Sequence, residues 1–108
     1  MQTLKPTDIS ETGVKLVNEW LCENGFVNVL NTSVNEGSIS ITSDGNIENI
    51  LVIVRTHVDP FRPVRISERE RDQIKTTSKS MGRRGYVAYV VIDADKHIVG
   101  EISWERLS

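Results

Sequence analysis

Apolar positions recur every three or four residues from Pro6 to Asn24, where Ile9, Gly13, Leu16, Val17, Trp20 and Leu21 share one stripe. That spacing predicts a first helix, capped by Thr7 or Asp8 and stopped by Asn24-Gly25, since glycine accepts the left-handed conformation that often follows a helix. Phe26 to Leu30 reads as a short strand, and the polar segment Asn31 to Glu36 as a turn. From Gly37 to Thr56 the period changes to two. Ile39 and Ile41 alternate with Ser38, Ser40 and Thr42, Asp44-Gly45-Asn46 supplies a turn, and Ile50 to Val54 is an unbroken apolar run ending in Arg55. This is a hairpin with one half-exposed arm and one buried arm.

His57 to Val64 contains Asp59-Pro60 and Pro63 and is expected to be a loop, because each proline removes a backbone donor. Ser67 and Glu70 form a capping-box pattern for a second helix from Glu68 to Met81, ended by Gly82. Its apolar face is thin, with Ile74 and Met81 separated by Thr77 and Ser78. Tyr86 to Ile92 is a second apolar strand. After a turn at Asp93 to Lys96, Ile98, Gly100, Ile102 and Trp104 alternate as a final strand near an edge. The predicted order is α-β-β-β-α-β-β. A helix between the two apolar strands lets them run parallel, so the fold class is α/β, a mixed sheet flanked by two helices.

At 108 residues the chain is expected to be a single domain, residues 1–108, with one core. Thirteen basic against 15 acidic residues give a net charge of -2, so no global positive field draws it onto nucleic acid, and any such binding must use a local patch. The lone cysteine, Cys22, excludes an internal disulfide and a cysteine-built zinc site and is read as a packed or bystander thiol. No apolar run reaches the length of a membrane span and MQTLKPTDIS lacks a signal-peptide apolar stretch, which together suggest a cytoplasmic location and no membrane partner.

The basic residues from Arg62 to Arg84 hold the main candidate surface. Lys75, Lys79 and Arg83 are spaced by four and would line one stripe of the second helix. With Arg84 and Arg55 they form the candidate nucleic-acid-binding set, against the plainer reading that acids begin and bases end a helix to complement its dipole. Arg55, closing a buried strand, must reach solvent or pair with an acid such as Glu19 or Asp59. His57 and His97 have no histidine or cysteine at ligand spacing, and no metal site is expected through them.

The element order, with Trp20-Leu21, Gly25-Phe26, Gly37 to Ile41 and Val52-Ile53-Val54-Arg55-Thr56, resembles the core of the PD-(D/E)XK nuclease superfamily, the restriction-endonuclease-like fold, and within it the small Holliday-junction-resolvase-like members. The resemblance implies that a strand aspartate would fall at Ser40, the glutamate of E-x-K at Ile53 and its lysine at Arg55. In the family those acids hold divalent metal, which activates water and offsets charge developing on the phosphate. Serine is a poor ligand, isoleucine is none, and arginine stays protonated. The resemblance therefore implies a nuclease fold without its metal site, with no catalytic residue and no cofactor.

Three functions follow as expectations. The first is a non-catalytic nuclease-fold module that binds a protein or nucleic-acid partner. The second is a metal-dependent nuclease with carboxylates relocated to Glu11 or Glu19, Asp44 and Asp59, which requires those groups to converge. The third is a structural or assembly protein, a homodimer built through the final strand or Trp104.

Overall fold

The computed structural model describes residues 5–35, 38–61 and 64–107. The predicted starts of the hairpin at Gly37 and of the basic region at Arg62, and Pro63 of the loop, lie outside the described residues. The elements are α1 (Pro6–Glu23), β1 (Val27–Asn35), β2 (Ser38–Asp44), β3 (Asn49–Val58), α2 (Glu68–Ser80), β4 (Arg84–Ile92) and β5 (Ser103–Arg106). The five strands form one sheet in the order β1-β2-β3-β4-β5. All neighbours are antiparallel except β3 and β4, which run parallel through the α2 crossover. The predicted α/β order and mixed sheet are those of the structure.

Both central strands are covered on both faces, and their side chains divide by parity. Ile50, Val52 and Val54 of β3, with Ala88, Val90 and Ile92 of β4, meet Val14, Val17 and Leu21 of α1. On the other face Val87 and Tyr89 pack with Ile66, Leu107 and Ile74 of α2. Near-continuous apolar runs in two adjacent strands are what burial on both sides demands. α1 approaches β3 closely because residue 13 is glycine: a Cβ there would lie 1.7 Å from Thr56 Oγ1. α2 rests chiefly on β4, where fully buried Ser78 lies against Gly85.

Several local expectations are corrected. Lys5 in extended conformation is the N-cap of α1 and Pro6 opens the helix, so Thr7 and Asp8 lie inside the first turn. The Asp8 carboxylate accepts from the Lys5 backbone N–H at 3.4 Å. Asn31 to Asn35 is not a turn but the second half of β1, because pairing with β2 satisfies its polar backbone. His57 lies within β3, which runs to Val58 in register with Ile92 of β4. Met81 is half exposed instead of packing, while Ile74 and Ser78 make the contact. The last strand begins only at Ser103. Gly100 is left-handed, at φ 76°, and breaks the extended run, leaving Ile98 with a single bridge to Ile92.

Trp104 packs inward. Its ring lies 4.7 Å from Trp20 and 6.3 Å, edge-on, from Tyr86, so it belongs to an aromatic cluster beneath α1. Among the described residues no helix is long and apolar enough to cross a membrane.

Candidate functional site

Because α2 sits chiefly over β4, a trough remains between the helix and the same face of β1, β2 and β3. Ser40 and Ile53 stand directly opposite each other across the β2–β3 ladder. Both line a trough of about 1100 Å³ between the sheet and α2. Leu51, Ile53 and the hydroxyls of Thr32, Ser40 and Thr42 lie on its sheet side, while Arg69, Gln73 and Thr76 face them from the helix. Strand periodicity places Ser40 and Ile53, two of the three positions singled out by the family resemblance, on this one surface.

Arg55 shares that face of β3 but turns to the start of α2, where its guanidinium pairs with Glu70. Neither Glu19 nor Asp59 is its partner. The capping-box pattern already put Glu70 in the first turn, yet its carboxylate goes to Arg55 while Ser67 Oγ accepts from the Glu70 N–H at 3.2 Å. Next to it, Arg71 pairs with Glu105 at 2.7 Å, and Tyr89 Oη donates to the same Glu105 at 3.2 Å. His57 follows Arg55 by one strand repeat. Its Nδ1 is buried without a hydrogen-bond partner, and burial, helped by the nearby Arg55 charge, pushes the imidazole below its ordinary pKa.

The other four residues of the candidate nucleic-acid set do converge. Lys75 and Lys79 from α2, Arg83 from the turn after it and Arg84 from the start of β4 line one cleft of about 690 Å³, together with Glu48. The two lysines are exposed. Arg83 donates to the Ser43 carbonyl at 3.0 Å and pairs with Asp44 at 2.9 Å, and Arg84 pairs with Glu48 at 2.9 Å. Glu48 also accepts from Tyr86 Oη at 2.5 Å. Sequence spacing found the basic residues but not Glu48, whose role depends on the β2–β3 turn folding back toward α2.

The relocated carboxylates do not gather. Asp44 pairs with Asn49 at the start of β3, whereas Asp59 follows its last residue, roughly 30 Å away at strand rise. Asp44 is the last residue of β2, not part of the turn that follows: a hydrogen bond from Asn28, then the Arg83 guanidinium, hold its carboxyl below the usual range. Glu11 and Glu19 line a separate groove along α1 with Asn18, Cys22 and Ile39. Cys22 is exposed, a bystander and not a packed thiol. His97 is likewise exposed, beside the turn whose backbone N–H groups donate to Asp93. Among the described residues no three or more His, Cys, Asp or Glu side chains cluster as metal ligands would.

Comparison with protein-family models and with curated proteins finds no match. Among solved structures the chain is similar to Hjc of Archaeoglobus fulgidus, a Holliday junction resolvase from an archaeal hyperthermophile. The two superpose with a TM-score of 0.54 at 15% identity, over 88% of this chain and 72% of that one. At that identity the likeness is one of fold, and it joins the sheet order and the crossover just described. The chain has a restriction-endonuclease-like fold.

Proposed function

We propose that this chain is a non-catalytic nuclease-fold module that binds nucleic-acid phosphate through the cleft of Lys75, Lys79, Arg83 and Arg84. The carrying observation is that these four cations, drawn from α2, the turn after it and the start of β4, line one cleft although the chain as a whole is acidic. Asp44 and Glu48 pair with the two arginines and leave the two exposed lysines in excess. Lys75 and Lys79 present mobile ammonium groups one helical turn apart. The guanidinium groups of Arg83 and Arg84, paired with Asp44 and Glu48, stand beside the lysines in the cleft.

The non-catalytic part rests on the trough. Where the family resemblance calls for two metal-binding acids, a hydroxyl and a hydrocarbon face each other at Ser40 and Ile53, and the candidate replacement acids stand apart. A protein-binding reading is favoured by the same trough, whose floor of Leu51 and Ile53 is apolar.

Fluorescence anisotropy with single-stranded, duplex and four-way-junction DNA over a range of NaCl tests the reading. Binding should weaken with salt at a log–log slope of about -2 to -3, as for two or three phosphate contacts. Lys75→Glu with Lys79→Glu should abolish it at moderate salt. Absence of binding at low salt, or binding indifferent to those charge reversals, would sink the phosphate cleft. Chelator-sensitive cleavage in Mg²⁺ or Mn²⁺ would sink the non-catalytic assignment.

A further inference from the structure

The sheet has two edges of opposite character. β5 is four residues long and carries Glu105 and Arg106. β1 is nine residues long, reads VNVLNTSVN, and contains no charge and no proline. Natural edge strands are normally protected by brevity, charge or proline, because a bare row of N–H and C=O groups is a template for another strand. β5 has that protection and β1 lacks it. Val27 and Leu30 also stand 58% and 67% exposed along β1, a large apolar exposure for an uncovered edge. Register shifts between Val27 and Leu30 and between Ser33 and Asn35 bend the two ends, leaving Leu30 to Ser33 as the regular segment.

We propose that the chain self-associates by antiparallel pairing of this β1 segment with the same segment of a second copy. Geometry narrows the arrangement. Two identical edges can pair antiparallel in one continuous sheet only about a two-fold axis perpendicular to the sheet, and such an axis leaves like faces on the same side. Opposed residues must then have the same parity, so the axis passes midway between the two copies of one residue, Asn31 or Thr32. Centred on Asn31, Leu30 of each copy stands opposite Thr32 of the other and loses its exposure to water, while the two Asn31 side chains meet at the axis. No charge lies at this seam to repel an identical strand, which favours a second copy as the occupant. Thr32 borders the trough, so the pairing joins the two troughs across the seam. A ladder of about four residues buries less than the ~1000 Å² of a stable interface, so the dimer should be weak, dissociating in the micromolar range.

Sedimentation velocity of the full chain from about 5 μM to 1 mM should show the mass rising from 12.2 kDa toward twice that value. Asn31→Lys sets like charges opposite each other and should raise Kd about tenfold or more, and Leu30→Lys should act in the same direction. Both sites are exposed, so circular dichroism should stay unchanged, whereas Ser103→Lys on β5 should leave Kd alone. On a Cys22→Ser background, Asn31→Cys should form an intermolecular disulfide under mild oxidation and Glu105→Cys should not. A monomer at every concentration would overturn the proposal. So would a dimer that Asn31→Lys leaves intact, or one cross-linked through Cys at 105 and not at 31.

Discussion

Arg55, within β3 just past its buried apolar run, is held by Glu70 from the first turn of α2. The pair ties the parallel β3 to the helix that carries the chain across to β4. Its side chains remain 28% and 44% exposed, so solvent screens the attraction.

A double-mutant cycle on Arg55→Met and Glu70→Gln should give a coupling of about 0.5–1 kcal/mol by urea denaturation. Arg55→Met should leave the salt dependence of DNA binding unchanged, because Arg55 lies outside the basic cleft. A reduced salt slope in that variant would return Arg55 to the nucleic-acid surface.

Gly13→Ala sets two effects against each other. Alanine favours a helix interior by about 1 kcal/mol over glycine. The added methyl would stand 1.7 Å from Thr56 Oγ1 and 2.8 Å from Thr56 Cβ, an overlap costing about 1–3 kcal/mol or more. The net change should be destabilising. Thr56→Ala should rescue only part of it, because the Cβ overlap stays, and calorimetric melting of the four proteins measures this.

Arg83 clips the β2–β3 turn, donating to the carbonyls of Ser43 and Ile50 and to the Asp44 carboxylate. Arg83→Ala should cost about 1–3 kcal/mol, the usual range when half-buried acceptors lose a charged donor. Loss of DNA binding in this variant would therefore mix folding with recognition, whereas Lys75 and Lys79 report on recognition alone. The Asp44 carboxyl is held below its usual pKa of 3.8, so its stabilising contribution is present above that pH and fades as pH falls through the depressed value. Asp44→Asn should flatten the acid limb of the stability curve below about pH 4.

His57 acts at milder acidity. Burial and Arg55 disfavour its imidazolium, so the folded state binds the proton less readily than the unfolded chain does. Stability should be full above about pH 6.5, fall as pH drops below it, and level off beneath the folded-state pKa. Urea midpoints of the wild type and His57→Gln at pH 7.5 and 5.5 check the sign. The variant should lose the difference between the two pH values.

Ser40 and Ile53 are direct cross-strand neighbours, with Cβ atoms expected about 5 Å apart. Ser40→Asp with Ile53→Glu should therefore place two carboxylates at one point of the trough and create Mn²⁺ binding measurable by calorimetry. Ile53 is 9% exposed, so the variant should also lose stability by a few kcal/mol.

Hydrophobic periodicity carried most of the architecture. A 3.6-residue stripe over α1, alternation over β2, and the unbroken apolar runs in β3 and β4 each answer to one backbone geometry and one pattern of burial, so they can be read without knowing what they pack against. The same holds for the order of elements and hence for the parallel β3–β4 pair. The polar half of β1 could not be read this way, because its strand geometry comes from pairing with β2 and not from its own side chains. Gly100 misled for a related reason: alternation continued through it while its backbone turned left-handed.

The chemistry divides along the same line. Helical spacing brought Lys75 and Lys79 to one flank of α2, since four residues make about one turn. Arg83 lies past the end of α2, not on its stripe, and only the turn through Gly82 into β4 brings it beside them. That Glu70 would take Arg55, that Glu48 would enter the basic cleft, and that Asp44 and Asp59 would stand at opposite ends of β3 depend on how the hairpin and the crossover helix meet in space. Local pattern records which face a side chain occupies. Which partner waits on that face is set by contacts between segments far apart in the chain, and those exist only once the sheet has closed around its core.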